Sequence, residues 1–107
     1  MKAKDSQLRK GVLELAVLAE LERAPSYGGE LLERLATNGG LRVSSGTLYP
    51  LLTRLRGAGF VAPRWQESPV GPPRKYYELT AGGRRQLANL TDAWRELSTA
   101  MTAILGQ

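Results

Sequence analysis

Residues 46–60 read Gly-Thr-Leu-Tyr-Pro-Leu-Leu-Thr-Arg-Leu-Arg-Gly-Ala-Gly-Phe, a helix-sized run that closes on glycine, and two strand-like runs follow around a Gly71-Pro72-Pro73 tip. Leu48, Leu51, Leu52 and Leu55 recur at helical spacing on one face. Residues 60–66 and 74–79 carry the aromatic residues of strands, the second with paired tyrosines, and residues 67–73 have the Pro/Gly content of a turn. Helix, strand, tip, strand in that order predicts a winged helix-turn-helix, mainly α with a small β-hairpin (an α+β fold).

The segments before it supply the other helices. Residues 7–22 form a first helix with two apolar stripes, Leu8, Val12, Leu15 and Ala19 on one side and Leu13, Val17 and Leu21 on nearly the opposite side. A helix apolar on both sides must be covered on both sides, so one stripe is expected against the core and the other against a second subunit or the last helix. Pro25 and Ser26 end that helix, and Ser26 is expected to cap a second, with Leu31, Leu32 and Leu35 inward and Asn38-Gly39-Gly40 as its stop. Gly28 and Gly29 weaken its first turn, by about 1 kcal/mol each relative to alanine. Pro50 lacks an amide donor and disfavours helical geometry at Tyr49, so the third helix is expected to begin at 45–47.

Thr80 is expected to cap a final helix carrying Leu87, Leu90, Trp94, Leu97, Met101 and Ile104 at alternating steps of three and four, a heptad seam. Under three heptads is short for an autonomous coiled coil, so the seam is expected to pack on the two-sided first helix across a dimer. The expected interface is Leu13, Val17, Leu87, Leu90, Trp94, Leu97, Met101 and Ile104. The chain then divides into a winged helix-turn-helix domain at 1–79 and a C-terminal dimerisation helix at 80–107.

Composition removes several function classes. A chain of 107 residues has room for one modest core. It contains neither cysteine nor histidine, which excludes disulfides, thiolate chemistry, most zinc sites and imidazole catalysis. The acid pairs Glu30 with Glu33 and Asp92 with Glu96 each lie near an arginine, without a nucleophile or a metal-ligand set, and read as surface salt bridges. No enzyme, metal or cofactor is expected. The polar N-terminus and the acids Glu14 and Glu20 fit neither a signal peptide nor a membrane span, so a cytoplasmic protein without membrane contact is expected.

Charge points to the partner. The chain carries net +5, with residues 11–38 at −3 and residues 39–79 at +4. Between Glu33 and Glu67 there is no acid, while Arg34, Arg42, Arg54, Arg56 and Arg64 fall in that window. Such a directed field favours a polyanion. The third helix adds a hydroxyl-rich entry (Ser44, Ser45, Thr47) and, opposite its leucines, a face of Gly46, Pro50, Thr53 and Gly57 flanked by Tyr49, Arg54 and Arg56. Small residues permit close approach, and hydroxyls and arginines hold phosphates or base edges. Arg74 and Lys75, just past the tip, are expected to be carried away from the body toward an adjacent groove. The competing reading is an ordinary solvated helix and strand.

Gly46-Thr47-Leu48-Tyr49-Pro50-Leu51-Leu52, Arg54-Leu55, Gly71-Pro72-Pro73-Arg74-Lys75-Tyr76-Tyr77, Leu79-Thr80 and Gly83-Arg84, with Pro25-Ser26-Tyr27-Gly28 and Glu30-Leu31, resemble the PadR family of bacterial transcriptional regulators over nearly the whole chain. The resemblance implies a homodimeric repressor with the third helix in the major groove and the wing near the backbone or minor groove. The length looks like the short subfamily with a single C-terminal dimerisation helix. Some members of that subfamily sandwich planar compounds between tryptophans of this helix, which would make Trp94, with Met101, a ligand site. Two departures are that Gly29 stands where an aromatic is frequent, and Arg56-Gly57 where an acidic pair is frequent.

These readings converge on a sequence-specific transcriptional regulator, a dimeric repressor on a palindromic double-stranded operator, relieved by a small molecule or another signal. The DNA-docking residues are Ser44, Ser45, Thr47, Tyr49, Pro50, Thr53 and Arg54 on the helix and Arg74 and Lys75 on the wing. The alternative is a winged-helix adaptor that binds protein and never reads DNA.

Overall fold

The computed structural model describes residues 2–106, with side chains described from 12 to 106. The elements in order are α1 (Lys2–Arg23), β1 (Ser26–Tyr27), α2 (Gly28–Gly39), α3 (Ser45–Gly57), β2 (Val61–Gln66), β3 (Arg74–Leu79) and α4 (Ala81–Leu105). The three helices of the head, the strand hairpin and the start of α4 close on one core: Leu13, Val17, Leu18 and Leu21 of α1, Leu31 and Leu35 of α2, Leu48, Leu51, Leu52 and Leu55 of α3, then Val61, Tyr77, Leu79 and Leu87. Each fully buried leucine contributes about 1.5–3 kcal/mol of transfer free energy.

This core corrects the expected interface. Leu13, Val17 and Leu87 are 6, 0 and 6% exposed within a single chain, so they offer no surface to a partner. The stripe of Leu13, Val17 and Leu21 is the core side of α1; Leu15 and Ala19 of the other stripe are partly buried against the same core, and the Leu8 side chain lies outside the described residues. The α1 helix also begins earlier than expected, at Lys2.

Ser26 is not a helix cap. It lies in β1, fully buried, and its hydroxyl donates to Glu30 Oε1 at 2.7 Å. The residue at the N-cap of α2 is Tyr27, whose side chain makes no capping bond. With β1 the hairpin becomes a three-stranded antiparallel sheet in the order β1-β3-β2. Ser26 and Tyr27 pair with Tyr77 and Tyr76, and β2 pairs with β3 from Val61 opposite Leu79 to Gln66 opposite Arg74. Two residues are too few to show a strand period, so β1 is invisible to pattern reading.

The helix ends follow their chemistry. Gly40 terminates α2 in the left-handed region at φ 67°, with its N–H on Ala36 O. Thr80 caps α4 by accepting from the Gly83 amide at 2.9 Å, and its hydroxyl donates to the Gly59 carbonyl at 2.6 Å. One side chain thus ties the end of α3 to the start of α4. Leu87 anchors the first turns of α4 in the core, while residues 92–97 and 99–106 are exposed, so the second half of the helix leaves the body and gives the molecule a long axis of 53 Å.

Candidate nucleic-acid interface

The exposed side of α3 starts at Ser44, whose Oγ accepts from the Thr47 amide at 3.2 Å and donates to Thr47 Oγ1 at 3.2 Å. Part of the expected hydroxyl cluster is therefore spent on the N-cap, and Ser45 is exposed at the first helical position. Pro50 lies just after the first turn and removes the donor that the Gly46 carbonyl would otherwise meet. Thr53 Oγ1 donates back to the Tyr49 carbonyl at 3.1 Å. Ser44, Ser45, Gly46, Thr47, Tyr49, Pro50, Thr53, Arg54, Arg56 and Gly57 are all exposed, while the four leucines of the other face are buried.

Tyr49 has a fixed seat. A Cβ on Gly28 would lie 2.3 Å from its hydroxyl and 2.5 Å from its ring, so the ring lies on the bare backbone at the start of α2. That is the reason for a glycine in a helical first turn, where propensity alone disfavours it. The other face of Tyr49 is open, and the residue is 45% exposed.

Arg74 is exposed and Lys75 half-buried, and both are seated against aromatic rings rather than reaching free of the body. The Arg74 guanidinium lies 4.5 Å from the centroid of the Tyr27 ring, and Lys75 Nζ lies 5.5 Å from that of Tyr77. Tyr27 itself meets Tyr76 edge to face, with centroids 5.4 Å apart. Aromatic faces attract cations electrostatically, and here they draw the two charges toward the body. Arg74, Lys75, Tyr27, Gly28, Tyr49 and Tyr77 together line one notch of about 270 Å³ between α2, α3 and the wing. Tyr49 of α3 and the two wing cations, distant in sequence, thus meet at one place.

The remaining arginines separate by environment. Arg34 is a half-buried clamp: it pairs with Glu20 at 3.3 Å, donates to the Ala24 carbonyl at 3.1 Å and to the Glu20 carbonyl, fastening α2 to the end of α1. Asn38 Nδ2 adds bonds to both Glu20 carboxylate oxygens, at 3.1 and 2.9 Å. Arg64 faces Glu78 across the strands at 3.8 Å. Arg54 Nη1 lies 3.2 Å from Glu14 Oε1, with the arginine side chain 62% exposed.

Two exposed apolar groups were missed. Trp65 on β2 is 67% exposed, and Val70 in the tip is 86% exposed. Nothing in a strand period tells a tryptophan beyond the core from one within it; the length of β2 past Val61 is the available clue. On α4, Trp94, Leu97, Met101 and Ile104 are 48, 62, 46 and 75% exposed, and Leu105 adds a further apolar side chain at 64%. Leu90 is half-buried against the core. Trp94 and Met101 stand on the outside of one helix, so a flat ligand could be enclosed there only with a second chain. Among the described residues no group of three or more His, Cys, Asp or Glu is arranged to hold a metal, and no helix is long and apolar enough to cross a membrane.

Comparison with known proteins matches residues 17–89 to a family described as the transcriptional regulator PadR-like family. The Transcriptional regulator Rv3488 of Mycobacterium tuberculosis is 32% identical over 100 residues, which cover 94% of this chain and 89% of that protein. Among solved structures, a PadR family transcriptional regulator from Eggerthella lenta superposes with a TM-score of 0.86 at 36% identity, covering 97% of this chain and 90% of that one. A PadR-like transcriptional regulator from Bacillus cereus gives 0.85 at 36% identity, over 94% and 98% of the two chains.

Proposed function

Because the chain belongs to the PadR-like family of transcriptional regulators, we propose that it is a sequence-specific repressor that binds double-stranded DNA as a homodimer and releases it on a small-molecule or other signal. The observation that carries this reading is the acid-free, exposed face of α3, whose Tyr49 shares one notch with the wing cations Arg74 and Lys75. Small and hydroxylic residues in the middle of that face admit a major-groove edge, and cations at its rim suit phosphates. Ser44, Ser45, Thr47, Tyr49, Pro50, Thr53 and Arg54 form the reading surface; Arg74 and Lys75 position it.

In this reading residues 1–79 form the DNA-binding head and residues 80–107 the dimerisation helix. Trp94, Leu97, Met101, Ile104 and Leu105 form an exposed apolar stripe on a helix that projects from the body, and a second copy of the stripe is its natural cover. Twofold pairing then sets two α3 helices on half-sites about one DNA turn apart, roughly 34 Å. The partner is a palindromic operator in the cytoplasm, and no enzymatic activity is assigned to a chain that lacks histidine and cysteine.

The test is the salt dependence of duplex binding. Arg74→Ala is expected to weaken binding to matched and mixed sequences alike and to reduce the slope of log affinity against log salt by about one unit. An unchanged slope removes Arg74 from the phosphate contacts. If the wild-type protein binds no duplex even at low salt, the DNA reading gives way to a protein adaptor.

The effector reading has its own measurement. Trp65 and Trp94 are the two tryptophans of the chain, so in a Trp65→Phe protein Trp94 alone reports. Planar aromatic compounds are expected to quench its emission and lower operator affinity together. Constant emission and affinity across a panel of such compounds would exclude a planar ligand between the α4 helices.

A further inference from the structure

Glu14 joins three helices. Its side chain is 17% exposed; Oε1 accepts from Arg54 Nη1 of α3 at 3.2 Å, and Oε2 accepts from Gln86 Nε2 of α4 at 3.0 Å. It is thus an acid from α1 reaching to the rim of a docking face that has no acid of its own. Resting on the DNA reading above, we infer that Glu14 is a positioning residue for recognition: it aims the Arg54 guanidinium, is itself held by Gln86, and lowers general DNA affinity in exchange for sequence discrimination.

The geometry supports each part. A guanidinium has five N–H donors, and Glu14 engages it through Nη1 alone, so the others remain free for a phosphate or a base edge. With the Arg54 side chain 62% exposed, solvent screens the pair and it adds little to stability, which leaves orientation as its main effect. A guanidinium already aimed loses less rotamer freedom on binding, and it rewards only a partner that meets it in one place. The carboxylate also opposes the polyanion, an opposition felt equally by every sequence. Gln86 precedes the buried Leu87 on α4, so the aim of Arg54 is referenced to the same helix that carries the exposed seam.

The probes are a mixed-sequence 30-base-pair duplex and the duplex that the wild-type protein most enriches from a random library of that length; the readout is the ratio of their affinities. Glu14→Ala is expected to tighten mixed-sequence binding several-fold and to lower the ratio roughly tenfold, the order of one good directional contact. Glu14→Gln, which keeps an acceptor but no charge, is expected to tighten mixed binding as strongly while retaining most of the ratio. Gln86→Ala is expected to lower the ratio without tightening mixed binding, and it decides the matter if Glu14→Ala does not fold. With Arg54→Ala already present, Glu14→Ala is expected to leave the ratio where it is. A ratio unchanged in Glu14→Ala or Gln86→Ala, or one that falls equally with and without Arg54, overturns the assignment. If the wild-type protein enriches no sequence, the DNA reading fails and this assignment fails with it; enrichment by wild type with an unchanged ratio in the variants removes the assignment alone.

Discussion

Alanine at Gly83 is expected to lower the thermal unfolding midpoint by about 10–20 °C, equivalent to about 2–3 kcal/mol in a domain of this size. A Cβ there would lie 2.1 Å from the carbonyl oxygen of Phe60 and 2.7 Å from Leu79 Cδ1. The carbonyl cannot swing aside cheaply, because it accepts the Thr80 amide at 3.1 Å at the junction where Thr80 caps α4. The usual gain of about 1 kcal/mol for replacing a helical glycine by alanine offsets only part of this. Gly57→Ala is the control: open space surrounds it, and its midpoint is expected to stay or rise. Equal midpoints for the Gly83→Ala protein and the wild type, measured by circular dichroism, would refute the close packing of α4 on the base of the wing.

The second large effect concerns assembly. The doubly substituted Leu97→Glu, Met101→Glu protein is expected to sediment at the 11.7 kDa chain mass, and the wild type, as the proposed dimer, at twice that. Four carboxylates brought into one apolar seam would have to be desolvated together without cations to pair them, a cost that exceeds what so short a stripe returns. Both positions are exposed within a single chain, so the melting of the head is expected to persist. Operator affinity is expected to fall by a factor on the order of 10² or more, because the second half-site loses its tethered partner. A wild type that sediments as a monomer at tens of micromolar, or a doubly substituted protein that remains a dimer, would exclude this seam as the interface.

Pattern reading succeeded where a period or a cap is long enough to be seen. The four leucines of α3, the two strands of the wing, the left-handed stop at Gly40 and the cap at Thr80 stand where residue spacing and turn chemistry put them. It failed where one pattern has two physical outcomes. The stripe of Leu13 and Val17, like Leu87, is apolar whether it meets its own core or a second subunit, and only the folded chain shows that the core takes it. Ser26 has the chemistry of a cap and also of a strand end, and pairing with Tyr77, far along the chain, decided for the strand. Arg34 looked like part of a polyanion field because Glu20 and the Ala24 carbonyl are distant in sequence. At the candidate interface the helix face was legible and the seating of Arg74 was not, since Tyr27 reaches it only through β1, which has two residues and no period.

Tyr27 belongs at once to the start of α2, to the sheet through Tyr76, and to the Arg74 cation. A change in the tilt of the wing would therefore be felt at the first turn of α2 and at the ring of Tyr49 resting on Gly28, so wing and α3 are coupled through one tyrosine. In the proposed dimer the head would act as a die of one shape, and a signal would act on the gauge between two such dies, set by the exposed far half of α4.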